Sequence, residues 1–247
     1  MRDSQAALAS ALSAATFLLL LPGGLCARII GGTEVAAHSR PYMALIRGTN
    51  DSLCAGALIA DAWVLTAAHC ALNRSSQVIL GAHSQSKQEP EKQIMSVKKQ
   101  IPFPHYKKNR HEGDLQLLKA RTFDFLSVDS NVTGPPTIWP PACKLSASDT
   151  LREVWVTVLD RETCNGPKYY GHNPVIRRDM ICAGDRRGGK DTCNGDSGSP
   201  LICEGTFRGV TSFGKPGKCG DPRGPGVYML LSQKYLSWIR ETTRRAA

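Results

Sequence analysis

Ten short apolar runs, each closed by glycine, proline or small polar residues, constrain this chain more than any other feature. They fall at 42–47, 55–59, 63–67, 77–80, 93–97, 115–119, 151–159, 200–203, 206–213 and 226–230. Runs of this length with such punctuation favour strands over helices, and so many short strands make an all-β barrel or sandwich. Within 151–159, Val154, Val156 and Val158 recur with a period of two, which points them to one face. Only 233–245 has helical spacing, with Tyr235, Leu236 and Ile239 expected to form its apolar stripe. In the stretch 121–147, Pro135, Pro136, Pro140 and Pro141 exclude a central strand there.

The length of 247 residues supports one large β domain or two small ones, and 41% hydrophobic with 21% charged residues allows a packed core. An aromatic content of 6% makes a stacking platform for single-stranded nucleic acid improbable. None of the nine cysteines forms a C-x-x-C pair, so neither a zinc ribbon nor a thioredoxin-like centre is expected. Their spread fits a disulfide framework made in an oxidising compartment. Formal charge is +10, and removing residues 1–28 takes away Arg2, Arg28 and Asp3 and leaves +9. Clusters at Lys98-Lys99, Lys107-Lys108-Asn109-Arg110, Arg186-Arg187 and Arg244-Arg245 would attract polyanions, or would simply be solvated basic faces. No metal or cofactor site is expected, because His111-Glu112 lacks a second histidine at ligand spacing and no phosphate-binding glycine loop occurs.

Residues 4–27 carry no charge, centre on Phe17-Leu18-Leu19-Leu20-Leu21 and end in a Pro22-Gly23-Gly24 break. This is the form of a secretory leader, assigned to 1–26, with no membrane span expected in the mature chain. Cys26 goes with the leader and leaves an even eight cysteines. Asn50, Asn73 and Asn131 each open a glycosylation triplet, in keeping with the secretory route.

The chemistry centres on Gly195-Asp196-Ser197-Gly198-Ser199-Pro200. A serine hydroxyl is a poor nucleophile until a base takes its proton, and adjacent glycines let backbone N–H groups face a developing oxyanion. On its own such a serine is usually a plain loop residue. A base is available in Thr66-Ala67-Ala68-His69-Cys70, where the cysteine would pin the histidine. A carboxylate to hold the imidazole is available at Asp114, which leads an apolar strand, Leu115-Gln116-Leu117-Leu118, and needs a partner there. The chain order His69, Asp114, Ser197 separates this arrangement from the α/β-hydrolase and subtilisin orders.

With Ile29-Ile30-Gly31-Gly32 at the expected mature start, these motifs resemble the chymotrypsin-type serine proteases. The runs at 38–43, 77–84, 148–154, 209–214 and 219–228 are similar to the granzyme branch, and the resemblance covers nearly all the chain except 121–147. It implies two six-stranded antiparallel β-barrels, about 29–130 and 131–232, with a C-terminal helix at about 233–245 and the active site between the barrels. His69 would be general base and acid, Asp114 its orienting partner and Ser197 the nucleophile. The N–H groups of Gly195 and Ser197 would form the oxyanion hole. Asp191, six residues before Ser197, would sit at the bottom of the P1 pocket, kept open by Gly214 and Gly226, and would select Lys or Arg. Cleavage after Arg28 would release the dipeptide 27–28 and free Ile29 to pair with Asp196. The implied bridges are Cys54–Cys70, Cys164–Cys182, Cys193–Cys219 and Cys143–Cys203. Also implied are protein substrates, an anionic proteoglycan partner, storage in the lumen of cytotoxic granules and delivery into target cells.

Two departures stand out. The resemblance implies a homodimer linked through a cysteine in a Pro-aromatic-Pro-Cys-Tyr stretch, whereas this chain has Pro102-Phe103-Pro104-His105-Tyr106, which excludes a covalent dimer there and leaves a non-covalent homodimer open. The Gly-Trp-Gly run expected after Cys143 is also absent, and Lys144-Leu145-Ser146-Ala147 passes straight into Ser148-Asp149-Thr150. The second barrel is therefore expected to lack part or all of a strand. Two rival readings follow, a polyanion-binding variant with impaired catalysis and a splice product that does not mature.

Overall fold

The computed structural model describes residues 29–120, 142–144 and 148–245. The leader, the dipeptide 27–28, Asn131 and most of the proline-rich stretch lie outside the described residues.

Among the described residues fourteen strands and two α-helices follow one another. A two-residue strand β1 (Thr33–Glu34) precedes the first barrel. That barrel holds β2 (Met43–Arg47), β3 (Leu53–Ala60), β4 (Trp63–Thr66), β5 (Gln77–Leu80), β6 (Gln93–Pro102) and β7 (Gln116–Ala120), closed in the order β2-β3-β4-β7-β6-β5. Alternation fills it: Ala44, Ile46, Val64, Val78, Leu80 and Leu118 turn inward and form one buried cluster. Their neighbours Trp63, Leu65, Leu115 and Leu117 turn outward, yet are equally buried. That second face packs with Met180, Val210, Val227 and Met229 of the other barrel. The two barrels are thus joined along β4 and β7, the strands on either side of which His69 and Asp114 emerge.

The second barrel holds β8 (Ala142–Lys144), β10 (Val156–Leu159), β11 (Met180–Gly184), β12 (Pro200–Cys203), β13 (Thr206–Phe213) and β14 (Gly226–Leu230), in the order β10-β11-β14-β13-β12-β8. The short helix α1 (Arg161–Asn165) follows β10 and is capped by the Asp160 carboxylate, which accepts from the Thr163 N–H at 3.0 Å. The expected shortening appears as a three-residue strand, not as a gap. β8 pairs with β10 through Cys143↔Val156 and with β12 through Cys143↔Cys203, which is just enough ladder to close the ring.

The run 151–159 does not form one strand. β9 (Arg152–Glu153) leaves to pair with β1, and only Val156–Leu159 belongs to the barrel. The expectation of one valine face is corrected accordingly: Val154 and Val156 are buried, but Val158 is 39% exposed and Leu159 turns inward. The helix α2 (Gln233–Arg245) forms where expected, but its core-facing stripe is the buried Tyr235 with the half-buried Trp238 and Ile239, while Leu236 faces solvent. Tyr235 and Trp238 pack edge-on against Phe103 at 4.9 and 5.3 Å, so α2 clamps the second barrel to the first. Among the described residues no helix is long and apolar enough to cross a membrane.

Candidate active site

His69 lies in the turn that follows β4. Three constraints fix that turn. The Gln116 amide donates to the Ala67 carbonyl at 2.8 Å, the Thr66 hydroxyl donates to the Ala55 carbonyl at 2.6 Å, and Cys70 is disulfide-bonded to Cys54. Asp114 enters from the other side, just before β7, and is fully buried. Its Oδ1 accepts from the His69 N–H at 2.8 Å. Its Oδ2 sits 2.7 Å from His69 Nδ1 and also accepts from the Ser212 hydroxyl. An ionised carboxylate can only accept, so Nδ1 carries the imidazole proton and Nε2 presents its lone pair. That lone pair faces the Ser197 hydroxyl at 2.8 Å. Three side chains up to 128 positions apart in the sequence are thereby brought into one hydrogen-bonded line.

The loop carrying Ser197 is shaped by two glycines with positive φ, Gly195 at 90° and Gly198 at 86°. Asp196, Gly198 and Ser199 all donate their N–H groups to backbone carbonyls. Among the described residues those of Gly195 and Ser197 find no acceptor, so this short loop offers two open donors beside the hydroxyl. The Ser197 carbonyl accepts from the Ala55 N–H at 2.8 Å, which ties the loop to β3 of the opposite barrel. Space there is minimal, since a Cβ on Gly198 would stand 2.1 Å from both the Ala55 carbonyl oxygen and the Thr66 hydroxyl. Gly198→Ala combines a strained backbone with that clash. We expect it to cost about 3 kcal/mol or more, seen as a drop in thermal midpoint; an unchanged midpoint would contradict the packing described.

Asp191, six residues before Ser197, is 3% exposed. Its carboxylate accepts from the Thr192 N–H at 2.8 Å and the Gly220 N–H at 3.0 Å, and no basic side chain among the described residues pairs with it. Burial raises its pKa to about 6, against the pull of those N–H donors. Gly226 stands over it, where a Cβ would lie 3.1 Å from Asp191 Oδ1 and closer still to the Tyr228 hydroxyl. Gly214 is exposed, and a Cβ there would meet nothing within 4 Å. The Cys193–Cys219 disulfide ties the segment that follows Asp191 to the one that carries Gly220.

Ile29 is buried at 2% exposure, and the next residue is bridged to Asp191. The Ile30 N–H donates to the Asp191 carbonyl at 3.0 Å, and the Asp191 N–H returns a bond to Ile30 at 3.2 Å. Asp196 is fully buried; its Oδ2 accepts from the Cys193 N–H at 2.8 Å, while Oδ1 has no partner among the described residues. Burial holds its pKa well above the usual carboxylate range, and the nearby Asp191 adds to that shift. Across the cleft, His111 stacks on Phe213 with ring centroids 4.2 Å apart, and burial lowers its pKa.

Cys164 and Cys182 are bonded to each other. Cys203 is disulfide-bonded, and Cys143 stands opposite it in the ladder. Asn50 and Asn73 are exposed in turns. Sequence reasoning did not find Ser212, Gln116 or Gly220. Gln116 did leave a signal, as a lone polar residue inside an apolar strand. Ser212 and Gly220 left none, because their partners become neighbours only when the barrels close.

Residues 29–239 match the family model described as Trypsin. The chain is 50% identical to Granzyme A of Bos taurus over 246 residues, 91% of this chain and 93% of that protein. It is 36% identical to Mast cell protease 3 of Ovis aries over 245 residues, 92% of this chain and 94% of that protein.

Proposed function

The chain belongs to the trypsin family of serine proteases, and from that premise we propose that it cuts peptide bonds after Lys or Arg, with Ser197 as nucleophile, His69 as base and Asp114 as orienting acid. The observation that carries this reading is the line Asp114–His69–Ser197, with separations of 2.7 and 2.8 Å.

The chemistry runs in two halves. The Ser197 oxygen attacks the substrate carbonyl while His69 Nε2 takes its proton. The negative oxygen that results is held by the N–H groups of Gly195 and Ser197. His69 then gives the proton to the leaving amine, and the C–N bond breaks to leave an acyl-enzyme. Water repeats the sequence, with His69 again taking and returning one proton, and frees the acid product. Asp114 stabilises the imidazolium formed at each stage, and Ser212 and the His69 N–H keep it aimed.

Asp191 supplies selection. A buried carboxylate without a cationic neighbour is poorly satisfied by an apolar side chain and well satisfied by an ammonium or guanidinium. Gly226 and Gly214 leave room for that side chain to reach it.

Maturation would follow cleavage after Arg28. The freed Ile29 ammonium would pair with Asp196, whose buried Oδ1 has no partner among the described residues. Blocking the cut with Arg28→Gln should lower turnover of an arginine ester at least about a hundredfold, the order expected when a buried charge loses its partner. Full ester turnover by the uncut variant would remove this step from the account.

The chain acts on protein substrates. Exposed Lys98, Lys99, Lys107, Lys108 and Arg110 support an anionic proteoglycan as storage partner. Similarity to Granzyme A supports a place in the granule lumen of cytotoxic lymphocytes. With His105 exposed on the surface, self-association there would be non-covalent. Asn50 and Asn73 are open to glycosylation, and a Cys143–Cys203 bridge would complete the four.

One experiment tests the whole reading. Residues 29–247 are produced with a free Ile29, then treated with a serine-directed covalent inhibitor and with Lys and Arg esters. Labelling of Ser197 with turnover is the expected result. A soluble, folded, unlabelled protein that binds heparin would replace it with the polyanion-binding variant.

A further inference from the structure

His69 and Asp114 come from the first barrel, whereas Ser197 lies just before β12 of the second. The catalytic line therefore depends on how the barrels are held to each other beside it. The run 111–114 of the first barrel is gripped there three times. His111 stacks on Phe213, at the end of β13. Asp114 accepts from Ser212, the residue before it. Glu112, between them, crosses to Arg177, whose guanidinium lies 2.7 Å from Glu112 Oε1. That third contact has no part in the chemistry described above.

Both ends of the Glu112–Arg177 pair are held in place. Arg161, at the start of α1, donates to the Arg177 carbonyl at 2.8 Å and to the Arg178 carbonyl at 3.1 Å, which fixes the backbone that presents the cation. On the other side, the Lys107 N–H donates to the Glu112 carbonyl at 2.8 Å and the Arg110 N–H to the Lys107 carbonyl at 3.1 Å, so 107–112 closes on itself and moves as one piece. Lys107 and Arg110 also approach the Glu112 carboxylate, at 3.7 and 3.9 Å, but they belong to its own loop and cannot tie it to the second barrel. Gly113 leaves little slack before Asp114. It has φ 65°, and a Cβ there would stand 2.7 Å from the Phe103 ring. We propose that Glu112 and Arg177 are positioning residues, whose ion pair between the barrels fixes the run 111–114 and so sets how Asp114 and His69 meet Ser197. This rests on the protease reading above. Glu112 Oε1 is shut off from solvent and the Glu112 side chain is 20% exposed. A carboxylate so placed, once its cation is gone, is drawn toward water, and the run to which Asp114 belongs goes with it. Displacements well under an ångström at a reacting group are enough to slow the chemical step.

The test compares the parent with Arg177→Gln, Arg177→Lys, Arg110→Gln and the double variant Glu112→Gln/Arg177→Gln. The substrate is an arginine anilide with no residue before the arginine, and active-site titration counts the competent molecules, so partial misfolding does not imitate the result. In Arg177→Gln, kcat and the rate of Ser197 labelling should each fall about fivefold, while affinity for a small arylamidine stays within twofold of the parent. Arg177→Lys keeps the charge and should recover most of the loss. Adding Glu112→Gln should restore kcat rather than lower it again, because a neutral amide has less need of a cation. Arg110→Gln removes a cation near the same carboxylate without touching the tie between barrels, and its kcat should stay within twofold. Unchanged kcat in Arg177→Gln overturns the proposal and leaves the protease reading standing. So does a loss that appears only in KM, a double variant worse than Arg177→Gln, or an equal loss in Arg110→Gln. A parent chain that neither turns over an arginine ester nor labels at Ser197 removes the proposal together with the reading beneath it.

Discussion

Ser197→Ala is expected to lower kcat/KM for an arginine peptide about 10⁵- to 10⁶-fold while leaving the fold intact. The hydroxyl is half-buried and its hydrogen bond runs to His69 Nε2, so its loss strands no deeply buried polar group. Asp114→Asn should cost less, about 10⁴-fold, and for a different reason. The Asp114 carboxylate accepts from three donors, the His69 N–H, Ser212 and His69 Nδ1. An amide must turn its NH₂ toward one of them. If it faces Nδ1, the imidazole proton moves to Nε2, and the lone pair needed to accept from Ser197 is gone. Burst titration with a covalent inhibitor, alongside thermal melts, separates lost chemistry from lost folding. Retention of more than a hundredth of the rate in Ser197→Ala would mean that another group attacks the substrate.

Asp191→Ser should lower kcat/KM for arginine and lysine esters by about three orders of magnitude, the cost of removing one partner from a buried charge pair. The same carboxylate carries a pH signature. Burial raises its pKa to about 6, so in the empty enzyme it takes up a proton as the pH falls through that value. Affinity for a small arylamidine cation should therefore weaken about tenfold per unit below pH 6, and the variant should lack that step. Stability has the opposite sign. The folded chain binds this proton more tightly than the unfolded chain, so between about pH 4 and 6 the empty protein loses stability as the pH rises. Asp191→Ser removes that burden and should melt no lower than the parent at pH 7. A variant that loses activity and also melts far lower would show that Asp191 holds its surroundings together.

Much of this was legible in the residues themselves. Short runs between glycines and prolines announce strands, and the spacing around 233–245 announces the helix. His69, Asp114 and Ser197 each sit in a local pattern whose chemistry makes sense only with the other two, so their convergence was open to inference before any coordinates. What failed depended on tertiary contacts. The run 151–159 looks continuous, but its first residues are drawn off by β1, and no local signal marks the break. Leu236 fits the helical stripe by type, yet Trp238 takes that place because Phe103 waits there for an aromatic edge. β11 carries Ile181 and Cys182 between Met180 and Ala183 in so short a run that it passes for loop. The short strand β8 closes the second barrel despite the missing Gly-Trp-Gly run. Sequence can flag that deficit but cannot locate its result.

The antiparallel bridge between Ile30 and Asp191 makes one stretch of backbone answerable to two events. Under the maturation and selection proposed above, seating the amino terminus and seating a cation beside Asp191 would act on the same pair of peptide groups. By thermodynamic reciprocity, whatever factor one exerts on the other would be returned in full. If that factor is favourable, an unprocessed molecule that captures a tight cationic ligand would be drawn toward the mature arrangement.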